Sequence, residues 1–223
     1  AGLVMTSCET ADPAGKDPNN SDIIVFADDI VKQSCVDVFD TDGDGEISYG
    51  EAIAYKGELT ITNNPQVLSF KEFRYFKNIA SFSFSACSNL FEFEFPTELT
   101  AITNYAFSGC SGFTGDLIIP NSVTYIGKIA FNNCKGFNGS LIIGNGVTDI
   151  NERAFAECEN FKDIFIYKET KPTIGFATFF TVDVSETKIH VPVIWEDFEG
   201  IPLHRLVKMP TYTSQQVDET KSQ

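Results

Sequence analysis

Four cysteines at a near-constant interval decide what this chain can fold into. Cys87, Cys110, Cys134 and Cys158 are 23, 24 and 24 residues apart. Phe84, Phe107, Phe131 and Phe155 each precede one of them by three residues, and Leu90, Phe113, Phe137 and Phe161 each follow by three. Ile102, Ile126 and Ile150 each lie five residues before a phenylalanine of the set. The offsets continue to Ile174 and Phe179, after which Val182 stands where a fifth cysteine would. A short β-prone segment follows each unit: Phe93–Pro96, Leu117–Pro120, Leu141–Gly144, Ile164–Tyr167 and Ile189–Pro192. Self-similarity at this period is the signature of a solenoid.

A unit this short cannot bury its own apolar face, so neighbouring coils must bury it together. Equivalent residues then stack at the ~4.8 Å strand spacing, and each column becomes a continuous ladder. The strands form a parallel sheet. In each triplet the outer residues face inward and the middle residue outward, which puts Glu94, Ile118, Ile142, Phe165 and His190 on the outer face. Three consecutive apolar residues there, Ile118, Ile142 and Phe165, predict a ligand-binding stripe, unless another segment covers them or β-propensity alone chose them. The ladder cysteines contain no C-x-x-C pair, and Val182 can pack but cannot cross-link or ligate. That pattern favours packed thiols over disulfides or a metal site.

A second motif precedes the repeats. Residues 40–51 fit the twelve-residue EF-hand loop. Asp40, Asp42 and Asp44 take positions 1, 3 and 5, and Gly45 takes the sharp turn at position 6. Glu46 offers its backbone carbonyl at position 7. Ser48 acts at position 9, through water or directly, and Glu51 closes the shell at position 12 as a bidentate carboxylate. Calcium is therefore the expected cofactor, and an acidic turn that happens to match is the alternative. Ile47, at position 8, should point into the core. Ser21 or Asp22 is expected to cap a helix running to about Phe39, with Ile24, Val31, Cys35 and Val38 or Phe39 as its apolar stripe. Ser48 and Glu51 form an S-x-x-E capping box that starts the exit helix. With a single loop, the expected role is to lock the N-terminal helices as a cap on the solenoid. A dockerin would carry two such loops in tandem.

The unit I-x-x-x-A-F-x-x-C-x-x-F/L followed by I-x-I-P resembles the BspA-like (Treponema-type) leucine-rich repeats of bacterial surface antigens. Ile102–Cys110, Ile126–Cys134 and Ile150–Cys158 match it most closely. The resemblance implies adhesion to a host or microbial surface protein or glycan. It also makes a calcium-loop module before the repeats unsurprising. The expected fold class is an α+β repeat: a leucine-rich-repeat solenoid with a parallel sheet, preceded by a small helical EF-hand-like cap.

Composition narrows the partners. The formal net charge is −15, from 16 Lys+Arg against 31 Asp+Glu. Such a chain repels nucleic acid and anionic lipid. Two histidines leave little room for imidazole catalysis or zinc chemistry. G-x-S-x-G, H-E-x-x-H, P-loop and G-x-G-x-x-G motifs are all absent, so no enzyme is expected. The start of the chain, Ala1 to Cys8, resembles the end of a bacterial lipoprotein signal, which would make Cys8 the lipidated residue. A membrane would then be reached only through that anchor, and the location is extracellular, either outer-membrane-anchored or secreted. The expected organisation is a tether over 1–20, the EF-hand-like module over 21–58, capping turns over 59–83, the solenoid over 84–192, a short helical cap over 193–210 and a polar tail over 211–223. The leading function is a non-catalytic binding protein. A structural spacer without its own ligand, or a dockerin-like or enzyme-associated module, are the alternatives.

Overall fold

The structure is a computed structural model that describes residues 22–182, 187–192, 195 and 206–209. Cys8, the tether over 1–20 and the tail over 211–223 lie outside the described residues. Two helices come first, α1 (Asp29–Phe39) and α2 (Tyr49–Ala54). Short strands follow, coil after coil: β1 (Glu58–Thr60), β2 (Ser69–Phe70), β3 (Ser81–Ser83), β4 (Glu92–Phe93) and β5 (Ala101–Ile102). Then come β6 (Leu117–Ile119), β7 (Tyr125–Ile126), β8 (Ser140–Ile143), β9 (Asp149–Ile150), β10 (Asp163–Ile166), β11 (Thr173–Ile174), β12 (Lys188–Pro192) and β13 (Leu206–Met209). A 3₁₀ turn spans Lys71–Tyr75.

The strands alternate between two parallel sheets that wrap one core. The first sheet has the order β13-β12-β10-β8-β6, and the second β11-β9-β7-β5. Two further parallel pairs, β1 with β3 and β2 with β4, lie on the N-terminal side. In the first sheet Leu117, Leu141, Ile164 and Ile189 are register partners, and all are fully buried. Ile119, Ile143, Ile166 and Val191 are buried likewise. Inward outer residues around an outward middle one is therefore the observed pattern. In the second sheet the partners Ile102, Ile126, Ile150 and Ile174 form the isoleucine column.

The aromatic columns stack face to face. Phe107 and Phe131 are 5.2 Å apart between ring centroids, Phe131 and Phe155 5.4 Å, and Phe155 and Phe179 5.7 Å. A second column runs Phe113, Phe137 and Phe161 at 5.3 and 5.5 Å. Identical rings at a fixed coil offset line the interior, in the stacked geometry their quadrupoles allow.

The cysteines do more than fill space. They are free and buried, and each thiol donates to a carbonyl of the preceding coil. Cys87 Sγ bonds Ile61 O (3.2 Å), Cys110 bonds Phe84 O (3.0 Å), Cys134 bonds Phe107 O (3.1 Å) and Cys158 bonds Phe131 O (3.0 Å). Burial pushes the thiols of Cys87, Cys110 and Cys134 above their ordinary value. They stay protonated, as a donor must be, and poorly nucleophilic.

From Tyr105 onward each coil turns through two left-handed residues, and the coil before it through one, Ala86. One column is Ala86, Gly109, Asn133, Glu157 and Thr181, each directly before the cysteine position or its valine substitute, and the other is Tyr105, Ile129, Arg153 and Ala177. Most are not glycine, and Ile129 at φ 59° is β-branched, a conformation that such residues rarely adopt. The turn presents its amides to the next coil: Tyr105, Phe107 and Gly109 donate to Lys128, Ala130 and Asn132. Those bonds hold the left-handed residues in place.

Two local expectations change. α1 begins at Asp29 with Asp28 as its N-cap, and the segment before it is extended, with Ile23 bridging Ser48. Ile24 is buried, but not as part of the helix, and Val38 is half exposed. At the other end Leu206–Met209 is not helical. It pairs in parallel with β12, so the sheet gains a strand where a helical cap was expected. Trp195 is buried, and its indole N–H donates to Glu169 O at 2.7 Å.

Candidate functional site

Two places carry the sequence-derived candidates, the acidic loop and the outer face of the first sheet. The loop joins α1 to α2. Asp40, Asp42 and Asp44 each bring a carboxylate oxygen within 4.8 Å of the others. Gly43 (φ 77°) and Gly45 (φ 81°) supply the left-handed turns that curl the chain around them. Asp40 accepts from Gly43 N (2.6 Å) and Gly45 N (2.9 Å). The Gly45 amide is the main reason its carboxyl lies below its ordinary value.

The rest of the predicted shell is arranged differently. Glu51 is not part of the three-aspartate cluster. Its Oε1 accepts from the amide and hydroxyl of Thr41, and its Oε2 from the amide and hydroxyl of Ser48. Ser48 Oγ accepts from Glu51 N, so the capping box is closed in both directions. Partial burial raises the Glu51 carboxyl, but these bonds outweigh it and the net shift is downward. The Glu46 side chain is paired with Lys32 at 2.7 Å, which leaves the backbone carbonyl assigned to it unaffected. Ile47 is fully buried, as position 8 requires. An all-oxygen cluster of three carboxylates is chemically suited to a hard cation such as calcium, and unsuited to soft metals that prefer thiolate.

The sequence reading missed how a single loop is completed. Ile24 N donates to Ile47 O at 2.8 Å, and Tyr49 N to Asp22 O at 3.0 Å. Residues 22–24 thus form a short antiparallel bridge along the back of the loop, where a second loop would otherwise pair. Asp28 was missed as well. Its Oδ1 caps α1 through Ile30 N and Val31 N, and its Oδ2 accepts from Leu68 N at 2.8 Å. Glu72 Oε1 accepts from Ala27 N. Phe39 packs on Phe76 and Phe26 on Phe70, so the module and the coils share one apolar core.

On the sheet face Ile118, Ile142, Phe165, His190 and Val207 are successive register partners. Ile118 is only 8% exposed, whereas Ile142 and Phe165 are half-buried and Val207 is 37% exposed. None of Ile118, Ile142 and Phe165 belongs to the core cluster. His190 lies flat on Phe165 at 4.1 Å between centroids, and its Nε2 meets Asp163 Oδ1 at 2.7 Å. Tyr167 stacks beside Phe165. The accessible stripe is therefore centred nearer the C-terminal end of the sheet than the sequence implied. The N-terminal side of the chain carries ion pairs, Arg74 with Glu94 and Lys71 with Glu92.

Among the described residues no helix is long and apolar enough to cross a membrane. No curated protein and no solved structure matches the chain significantly. The model of the BspA type leucine rich repeat region matches in six copies over residues 69–195, more than half of the chain. With its columns, parallel sheets and buried ladders already described, the chain belongs to the BspA-type leucine-rich-repeat family.

Proposed function

We propose that this chain is a non-catalytic surface or secreted binding protein. Its first sheet engages a partner protein on a host or microbial surface, and its N-terminal loop holds a structural calcium ion. The observation that carries the reading is the outward column Ile142, Phe165, His190 and Val207. It is a row of apolar and aromatic side chains in strict register on a rigid sheet, outside the core. Aromatic anchors on a preorganised surface make efficient binding centres.

The calcium assignment rests on the gathered aspartates and the left-handed glycines. Asp40, Asp42 and Asp44 would hold the ion with side-chain oxygens, and Glu46 would add its carbonyl. Ser48 and Glu51 would complete the set. An ion there would neutralise the mutual repulsion of the aspartates and fix the loop against residues 22–24. Anchoring through Cys8 belongs to the same proposal.

The test is retention of the full chain on immobilised extracellular-matrix proteins and mucin, in millimolar calcium and in chelator, with Ile142→Lys and Phe165→Lys beside the wild type. The reading expects retention that both substitutions abolish and chelator weakens. Retention unchanged in both variants would point to a spacer whose sheet face has no ligand of its own.

A further inference from the structure

We propose that a shallow cleft on the second-sheet side, away from the face discussed above, is a subsite for a neutral saccharide. The cleft measures about 390 Å³, and its lining includes Thr60, Ser81, Ser83, Ala101, Asn104 and Tyr125.

It exists because the strand ladder breaks there. β1 and β3 pair with Leu59 opposite Phe82. The next coil does not continue that ladder with a strand. Instead the Thr103 hydroxyl donates to Phe82 O and receives Phe82 N. β5 starts two residues earlier, at Ala101, and a recess opens between the two ladders. The outward column of the second sheet reads Ala101, Tyr125, Asp149 and Thr173. Ala101 is its smallest member, so the space in front of Tyr125 stays open, and that ring is 38% exposed.

The chemistry of the lining selects the ligand. Asn104 Oδ1 is held by Lys128 N, which fixes the amide plane and leaves its N–H₂ donors directed elsewhere. Together with the hydroxyls of Thr60 and Ser81 and the Tyr125 phenol, these are uncharged groups able to donate or accept. An aromatic side chain stands among them. Sugar rings present that same combination, alternating hydroxyls and an apolar C–H face. No charged side chain lines the cleft, and the net charge of −15 disfavours sialylated or sulfated glycans. The volume lies at the small end of ordinary ligand pockets, ~300–1,000 Å³, which suits a terminal sugar or disaccharide end group.

The experiment is saturation-transfer NMR on the full chain with N-acetyllactosamine, chitotriose, cellotriose and mannotriose as probes, followed by titration of any that bind. The expected result is binding of at least one probe with Kd on the order of millimolar. It should weaken by about tenfold or more, one decade of Kd, in Ala101→Leu and Tyr125→Ala. Thr60→Val, on a different strand, guards against a folding artefact in either, and matched thermal unfolding verifies all three. Ile142→Lys should leave the saccharide signal unchanged, so failure of the sheet-face reading and failure of this one are separable. Absence of binding by all four probes, or binding that survives both Ala101→Leu and Tyr125→Ala, would overturn the proposal.

Discussion

The coils from Ile102 to Phe161 and the module from Asp22 to Tyr55 share one core but are held by different physics. In the coils the main stabilising contacts are repeated. Phenylalanine stacks on phenylalanine, a thiol meets the same carbonyl one coil back, and Lys128 and Lys135 each pair with the glutamate 24 residues on, Glu152 and Glu159. Stability there is close to a sum over neighbours. The module has no repeats. Single contacts fix it: Asp28 to Leu68, Glu72 to Ala27, and the bridge of residues 22–24 to the loop. Periodic structure tolerates a worn unit, as Val182 demonstrates, whereas a one-copy joint has no spare.

The largest expected effect lies in the coils. Phe131 stacks on Phe107 and Phe155, so Phe131→Ala should cost about 3–5 kcal/mol in denaturant unfolding. Phe179→Ala, at the worn end with a stacked ring at Phe155, should cost clearly less. Equal costs would mean that position along the ladder is irrelevant. Next is the joint. Asp28→Ala removes a helix cap and the part-buried hydrogen bond from Leu68 N, at about 1–3 kcal/mol. Its signature is regional: amide protection should fall across 22–55 and persist across 107–161. A uniform fall would erase the distinction between the two regions.

Smaller effects refine it. Cys134→Val, the residue that Val182 already places in this column, removes the S–H···O bond, so a loss of about 0.5–1.5 kcal/mol is expected, against near zero for a purely apolar role. Glu72 adds a pH dependence. Burial raises its carboxyl above the ordinary glutamate value, so the folded chain holds that proton more tightly than the unfolded chain. Its contribution is favourable at low pH and is lost as pH rises from the ordinary glutamate range through the folded value. Glu72→Gln should therefore be more stable than the wild type at neutral pH and no more stable at pH ~3, below the ordinary glutamate range. Melting curves at the two pH values would settle it.

The solenoid was legible because its signal is periodic. The columns of Ile126, Phe131 and Cys134 announce themselves in one dimension, and so did the loop at Asp40–Glu51. What stayed hidden is aperiodic or carried by the backbone. Ile129 and Arg153 adopt left-handed turns without a glycine to mark them, because inter-coil hydrogen bonds decide their conformation. Ile24 fits a helical stripe by spacing, but its partner Ile47 pulls it into a bridge 23 residues away. The apolar residues from Trp195 to Leu206 suggest a short helical cap, yet the open edge of β12 recruits Leu206–Met209 as a strand. Ile118, Ile142 and Phe165 do share one register column, while the low exposure of Ile118 depends on neighbours that spacing does not reveal.

In the proposed reading a cation bound at Asp40, Asp42 and Asp44 locks the non-repetitive cap onto the repetitive stack. Hydrogen exchange followed by mass spectrometry, in millimolar calcium and in chelator, tests it most directly. The account predicts that calcium slows exchange across residues 40–51 and 22–31 and leaves the coils from 107 to 161 unchanged. Identical exchange in the loop under both conditions would contradict it.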